Sequence, residues 1–101
     1  MNRNMKGVFI AFDQAHKDAV IETLDHLSCR GFSMIEQLQG RGSKTGEPHY
    51  GTHAWASMNS GIITIVEDTI VDKLLASLKE IDENAQMLGL RAFVWNIEQC
   101  Y

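Results

Sequence analysis

The chain alternates between short apolar runs and longer amphipathic segments. Residues 6–12 are mostly apolar and rich in strand-forming types, and residues 61–66 are a dense run of β-branched side chains. Residues 32–38 alternate apolar and polar positions, with Ile35 breaking the alternation, and residues 90–97 are again strand-like. The pattern therefore predicts four β-strands.

Two segments between these runs repeat apolar residues at helical spacing, with charged residues on the opposite side. The first covers about 14–29, follows a capping Asp13 and stops at Gly31. The second opens with a capping box at 69–72 and stops at Gly89. The apolar positions are Val20, Leu24 and Leu27 in the first helix and Val71, Leu74, Leu78, Ile81, Ala85 and Leu88 in the second.

The predicted order of elements, βαββαβ, is the split βαβ motif of ferredoxin-like domains. We therefore expect an α+β fold in which residues 1–101 form a single domain, with two helices on one face of a four-stranded antiparallel sheet. Three of the strands have apolar residues at adjacent positions, so both faces of the sheet need burial. We expect the bare faces to pack together in a homo-oligomer, although ordinary surface apolarity would leave the same pattern.

The overall charge and hydropathy exclude several classes of protein. The formal net charge of -4 argues against a protein that coats nucleic acid, which needs clustered Lys and Arg. No apolar run approaches the roughly 18 to 20 residues of a membrane span, and residues 1–4 lead into the first strand without a signal-peptide core. We expect a cytoplasmic protein that does not insert into membranes, with Cys29 and Cys100 as reduced thiols.

Residues 40–60 differ in composition from the rest of the chain. They contain four glycines, the only proline and almost no aliphatic residues, which predicts a long exposed loop. Its glycines let backbone N–H groups turn toward an anion, and its basic residues add charge, although a solvated loop would have the same composition. The candidate anion-binding residues are Gly40, Arg41, Gly42, Lys44, Thr45 and Gly46.

The histidines admit a second interpretation of the same loop. His49 and His53 are four positions apart and are candidate ligands for a divalent metal, but structural zinc sites usually include cysteines, which lie elsewhere in this chain. The serines near these histidines lack the context of a nucleophile elbow, so we expect no enzyme activity. His16 and His26 fall on the polar side of the first helix, where we expect both to be solvated.

In their order along the chain, several of these features resemble the PII signal-transduction family. The resemblance implies a ferredoxin-like homotrimer that binds small effectors, commonly adenine nucleotides, in clefts between subunits. It also implies that a long T-loop engages a partner protein, an enzyme or a membrane transporter. The stretches that carry the resemblance are 5–6, 17–24, 30–33, 40–47 with Tyr50-Gly51, and 92–98.

The chain also departs from the PII pattern. The family's Gly-Asp-Gly-Lys phosphate loop has no counterpart, because 89–92 is far shorter, and the T-loop is short. Arg41, Lys44 and Arg91 are therefore the remaining candidates for contact with the anionic group of an effector. An alternative is a metal-binding trimer of the CutA type, associated with metal tolerance, in which His49 and His53 are the ligands.

Overall fold

A computed structural model describes residues 4–38, 58–84 and 89–101, and these form four strands and two helices around one core. The strands lie side by side in the sheet in the order β2-β3-β1-β4, and each hydrogen-bonded pair of neighbours is antiparallel. The predicted ferredoxin-like βαββαβ fold is confirmed. The elements are β1 (Met5–Phe12), α1 (Lys17–His26), β2 (Phe32–Ile35), β3 (Ser60–Glu67), α2 (Asp68–Asn84) and β4 (Leu90–Asn96).

Strand β1 lies at the centre of the sheet, and its register determines which side chains share a face. Phe9 lies opposite both Ile63 of β3 and Phe93 of β4. Gly61 of β3 lies opposite Ile35, the last residue of β2. Because successive side chains of a strand point to opposite faces, these residues share the face that the helices do not cover.

The other face of the sheet packs against both helices and forms the core. The side chains on this face of β1 and β3 are almost completely buried, as are those on the inner stripes of the helices. Fully burying one such side chain contributes about 1.5–3 kcal/mol. The principal residues of the core are Val8, Ile10, Phe12, Val20, Leu24, Ile62, Val66, Leu74, Leu78 and Leu90.

The first helical segment begins differently from the prediction. A 3₁₀ turn, Gln14–His16, precedes α1, and the Asp13 carboxylate caps this turn by accepting a hydrogen bond from the Ala15 N–H at 2.9 Å. The tighter 3₁₀ winding changes the phase of the residues that precede the helix. His16 is consequently buried, with 5% of its surface exposed, so the prediction that it is solvated is wrong. His26 is exposed, as predicted.

Helix α1 also ends earlier than the predicted stop at Gly31. Ser28 has a φ of 62°, in the left-handed region. Its N–H donates to the Asp25 carbonyl at 3.0 Å, and the Cys29 N–H donates to the Leu24 carbonyl at 2.7 Å. These two bonds form a Schellman motif, in which Ser28 occupies the position usually taken by glycine.

Several other boundaries differ from the predicted ones. Helix α2 begins at Asp68, one residue before the predicted capping box, and its predicted continuation to Leu88 lies outside the described residues. Strand β2 ends at Ile35 instead of continuing to residue 38. At the end of the predicted loop, Met58 is buried with 2% exposed and Ser60 already belongs to β3, so these two residues are part of the folded body.

Candidate functional site: an apolar sheet face and the base of a loop

Large apolar side chains cover the sheet face opposite the helices. We call this surface the open sheet face, because no element among the described residues lies over it. Its side chains, apart from the less exposed Phe9, are close to half exposed, with Ile63 at 40% and Phe93 at 44%. The residues of the open sheet face are Phe9, Ile35, Ile63, Ile65, Phe93 and Trp95.

The aromatic rings of the open sheet face lie close to the backbone of the sheet. Phe9 and Phe93 stack, with ring centroids 6.5 Å apart and planes inclined by 19°. A Cβ added at Gly61 would lie 2.9 Å from the Phe9 ring, and one added at Gly7 would overlap the indole of Trp95. The two glycines therefore allow the rings to lie low against the sheet, which leaves a shallow apolar depression.

The composition of this face explains the break in the predicted alternation of β2. Ile35 follows Met34, which packs against the core, and Ile35 itself faces outward at the rim of the apolar depression. A contiguous exposed patch of this kind marks an interaction surface in a folded protein. The structure thus confirms the expectation that both faces of the sheet are apolar.

The two chain segments that border residues 39–57 lie side by side. The Leu38 N–H donates to the Asn59 carbonyl at 2.7 Å, and the Ser60 hydroxyl donates to the Glu36 carbonyl at 3.1 Å. These bonds join the end of β2 to the start of β3 at the base of the predicted loop. The predicted anion-binding and metal-binding residues of this loop, Gly40, Arg41, Gly42, Lys44, Thr45, Gly46, His49 and His53, lie outside the described residues.

A small polar pocket lies beside this loop base. Lys17 Nζ is 3.4 Å from Glu36 Oε1 across it, but both side chains are largely exposed, so their ion pair contributes little stability. No sequence pattern signals this pocket, because its residues come from three separate parts of the chain. The lining residues are Gln14, Lys17, Met34, Glu36, Gln37 and Ser60.

Arg91 is the one predicted effector-binding residue within the described part of the chain. It lies near the start of β4, and the registers of β3 and β4 bring it to the same end of the sheet as the loop base. Its guanidinium donates to the Leu90 carbonyl at 2.9 Å and lies 3.5 Å from the Asp82 carboxylate. Arg91 therefore lies at the same end of the sheet as the loop base, and Asp82 neutralises part of its charge.

The two cysteines are free thiols in different environments. Cys29 is buried in the core, and this burial raises the pKa of its thiol, whereas Cys100 is exposed. Among the described residues, no three His, Cys, Asp or Glu side chains come together as a metal site. Neither of the helices in the described part of the chain has the length and apolarity needed to span a bilayer.

Comparison with known proteins gives a match to one family over nearly the whole chain. A family model described as "Nitrogen regulatory protein P-II" matches residues 5–101. A comparison with curated protein sequences finds no significant match.

Several solved structures share the fold. CPII of Thiomonas intermedia K12, a nitrogen regulatory PII-like protein bound to ADP, AMP and bicarbonate, is 18% identical, with 95% of this chain and 92% of that chain covered and a TM-score of 0.64. A putative PII-like signaling protein of Thermus thermophilus is 20% identical, with coverages of 94% and 88% and a TM-score of 0.64. A DUF3240 family protein of Shewanella baltica is 20% identical, with coverages of 100% and 97% and a TM-score of 0.68.

Proposed function

Because this chain belongs to the nitrogen regulatory protein P-II family, we propose that it senses a small effector, an adenine nucleotide or a small anion, and signals to a partner protein through its loop. The observation that carries the proposal is the family match over residues 5–101. The nucleotide-bound and bicarbonate-bound CPII structure, which has the same fold, supports this choice of effectors. We propose a regulatory role in the cytoplasm and no catalytic one, with residues 1–101 acting as one domain.

The proposed assembly is a homotrimer in which the open sheet faces of three subunits pack together. This face is apolar and half exposed, so its burial against identical faces is favourable at about 25 cal/mol per Å². A closed, symmetric assembly also avoids further aggregation through the same surface. In this trimer, the loop bases of neighbouring subunits would surround the proposed effector clefts.

The proposed effector site combines the loop with the nearby end of the sheet. Gly40, Gly42, Thr45 and Gly46 supply backbone and hydroxyl donors, and Arg41, Lys44 and Arg91 supply positive charge. The guanidinium of Arg91 pairs with the Asp82 carboxylate at a distance of 3.5 Å, and the arginine side chain is 44% exposed. The Asp82 carboxylate is only 17% exposed and would lose this partner if the pair were broken, so an anionic effector has to share this guanidinium with Asp82.

The partner proposed for the loop is a protein, either an enzyme or a membrane transporter. In this mechanism the effector binds the glycine-rich and basic residues and selects one loop conformation from an existing ensemble. The partner then binds one conformation better than the other. The ligand can shift this equilibrium only by its differential affinity for the two states.

A thermal-melt series tests the effector assignment. We expect ADP, AMP, ATP or bicarbonate to raise the melting temperature of the wild-type protein, because a ligand at 100 times its dissociation constant adds about 2.7 kcal/mol to the stability of the folded state. The shift should be lost in Arg41→Ala and Lys44→Ala. The matched control is Arg30→Ala, which removes an exposed arginine of the α1–β2 turn and should keep the shift.

Two results would contradict the proposal. The absence of a shift with every nucleotide and small anion would remove the effector assignment. A shift with zinc or copper alone, lost in His49→Ala and His53→Ala, would replace it with the metal-binding function of the CutA type.

A further inference from the structure

Asn59 makes three hydrogen bonds at the base of the loop. Its backbone N–H donates to the Phe12 carbonyl at 3.1 Å, and its carbonyl accepts from the Leu38 N–H at 2.7 Å. Its side-chain Oδ1 accepts from the Gln14 N–H at 2.9 Å. Asn59 therefore ties both ends of the 39–57 segment to the corner that follows β1.

The same corner is bonded to a second chain connection. The Asp13 N–H donates to the carbonyl of Gly89 at 2.9 Å. Gly89 directly precedes β4 and is the first described residue of the connection that follows α2. Phe12, Asp13 and Gln14 thus contact the loop base and the α2–β4 connection through consecutive backbone groups.

The carboxamide of Asn59 has a specific role in this arrangement. The first N–H groups of a helical turn have no partner within the turn, and the Asp13 carboxylate accepts from only one of them, that of Ala15. The Asn59 carboxamide accepts a hydrogen bond from another of these groups, the N–H of Gln14. Asn59 is exposed and lies outside the core. Its side chain therefore acts mainly by holding the backbone at Gln14 in place and adds little packing.

We propose that Asn59 is a positioning residue that couples the loop base to the α2–β4 connection through the corner 12–14. When its carboxamide holds the Gln14 N–H, the corner keeps the orientation in which Asp13 reaches Gly89. When the loop base moves, the corner 12–14 moves with it and shifts Gly89 and the start of β4, where Arg91 lies. The sensing role of this coupling depends on the proposed function, whereas the coupling itself exists in the free protein.

Backbone hydrogen exchange in the free, full-length protein tests the coupling. Native-state exchange reports local opening residue by residue, so we expect Asn59→Ala to accelerate exchange of the Gln14 N–H about tenfold and of the Asp13 N–H about threefold. Asn59→Asp retains a side-chain acceptor and should restore both rates. Gln99→Ala, which removes a carboxamide from the exposed C-terminal tail, is the matched control and should change neither rate.

The exchange rate of the Asp13 N–H decides the outcome, because this group donates to the Gly89 carbonyl and not to Asn59. Faster exchange at Gln14 with no change at Asp13 would overturn the coupling and leave a purely local bond. Acceleration of the same size in Asn59→Asp would also overturn it, since the acceptor would then have no role. If Asn59→Ala does not fold, Asn59→Leu, which has nearly the same shape and no acceptor, takes its place.

A second readout separates this inference from the proposed function. Trypsin is specific for arginine and lysine, so we expect it to cleave after Arg41 and Lys44, and we expect a bound nucleotide to slow this cleavage in wild type but about threefold less in Asn59→Ala. If neither a nucleotide nor a small anion binds the wild-type protein, the proposed function fails while the exchange result still decides the coupling. If Asn59→Ala binds the nucleotide and is protected from trypsin as fully as wild type, the coupling is overturned and the proposed function stands.

Discussion

The two faces of the sheet are both apolar, but the helices bury only one of them. On the covered face, Phe12 is 0% exposed because α1 and α2 lie over it. On the open sheet face, Phe93 has the same side chain and remains 44% exposed. The chain therefore builds one interface for its own helices and leaves a second apolar surface, on which we propose that other subunits pack, and alternate residues of the same strands contribute to both.

The strongest test of this comparison places the same charge on each face. Phe12→Asp should abolish folding, because an unpaired carboxylate in the core costs several kcal/mol. Phe93→Asp should leave a folded monomer and abolish assembly, because the carboxylate is hydrated until a second subunit covers it. Circular dichroism and sedimentation would separate the two outcomes.

The matched control for the charge is Ala76→Asp, on the exposed surface of α2, which should change neither folding nor assembly. A Phe93→Asp protein that remains trimeric would show that the open sheet face is not the assembly surface.

A smaller effect is expected from the glycine beneath the indole of Trp95. The Cβ of Gly7→Ala would overlap this ring, which must move outward. Overpacking typically costs about 1–3 kcal/mol, and we expect the low end for the monomer because the indole is half exposed and can rotate. The free energy of assembly should fall more than the free energy of unfolding, because the displaced ring protrudes from the open sheet face and prevents close packing against another subunit.

Gly31→Ala is the control for this substitution, because a Cβ at Gly31 would meet nothing within 4 Å. Chemical denaturation and the dissociation constant of the proposed trimer would be measured for both variants. Equal effects of the two substitutions would contradict the close packing of Trp95 on Gly7.

The smallest effect is expected on the covered side, at the end of α1. Ser28 holds a left-handed conformation with a φ of 62°, which glycine adopts without a steric penalty. Ser28→Gly should therefore stabilise the protein by about 0.5–1 kcal/mol. The measurement is the midpoint of urea unfolding of the assembly-deficient Phe93→Asp protein.

Because Ser28 lies away from the open sheet face, Ser28→Gly in the otherwise wild-type protein should leave the trimer dissociation constant unchanged. A loss of stability would mean that the Ser28 side chain makes a contribution beyond its conformation.

The periodicity of the sequence was sufficient to predict the fold and the two apolar faces. Short apolar runs mark the strands and helical spacing marks the helices, so the strands and both helices lie close to their predicted ranges. The burial of His16 was not predictable, because it depends on the 3₁₀ turn that shifts the start of α1. The stop at Ser28 was missed because Gly31 has the stronger intrinsic preference for a helix end.

The candidate site was less accessible from the sequence than the fold. Arg91 was predicted as a candidate from its charge, but its pairing with Asp82 depends on how α2 packs beside β4. Asn59 has no local signature, because its hydrogen-bond partners are distant in the chain. The nearest of them, Leu38, lies 21 residues away. Contacts of this kind are consequences of tertiary packing, which single-sequence periodicity does not contain.

The central place of β1 has a consequence for how the protein reaches its native state. Lys6 pairs with Asn96, 90 residues further along the chain, so the sheet closes only when the last strand has docked on the first. Closing a loop of this length costs about 4 kcal/mol of chain entropy before the contacts repay it. During synthesis, the apolar first strand must wait until β4 has been made, and a pairing between strands so far apart in the chain slows folding.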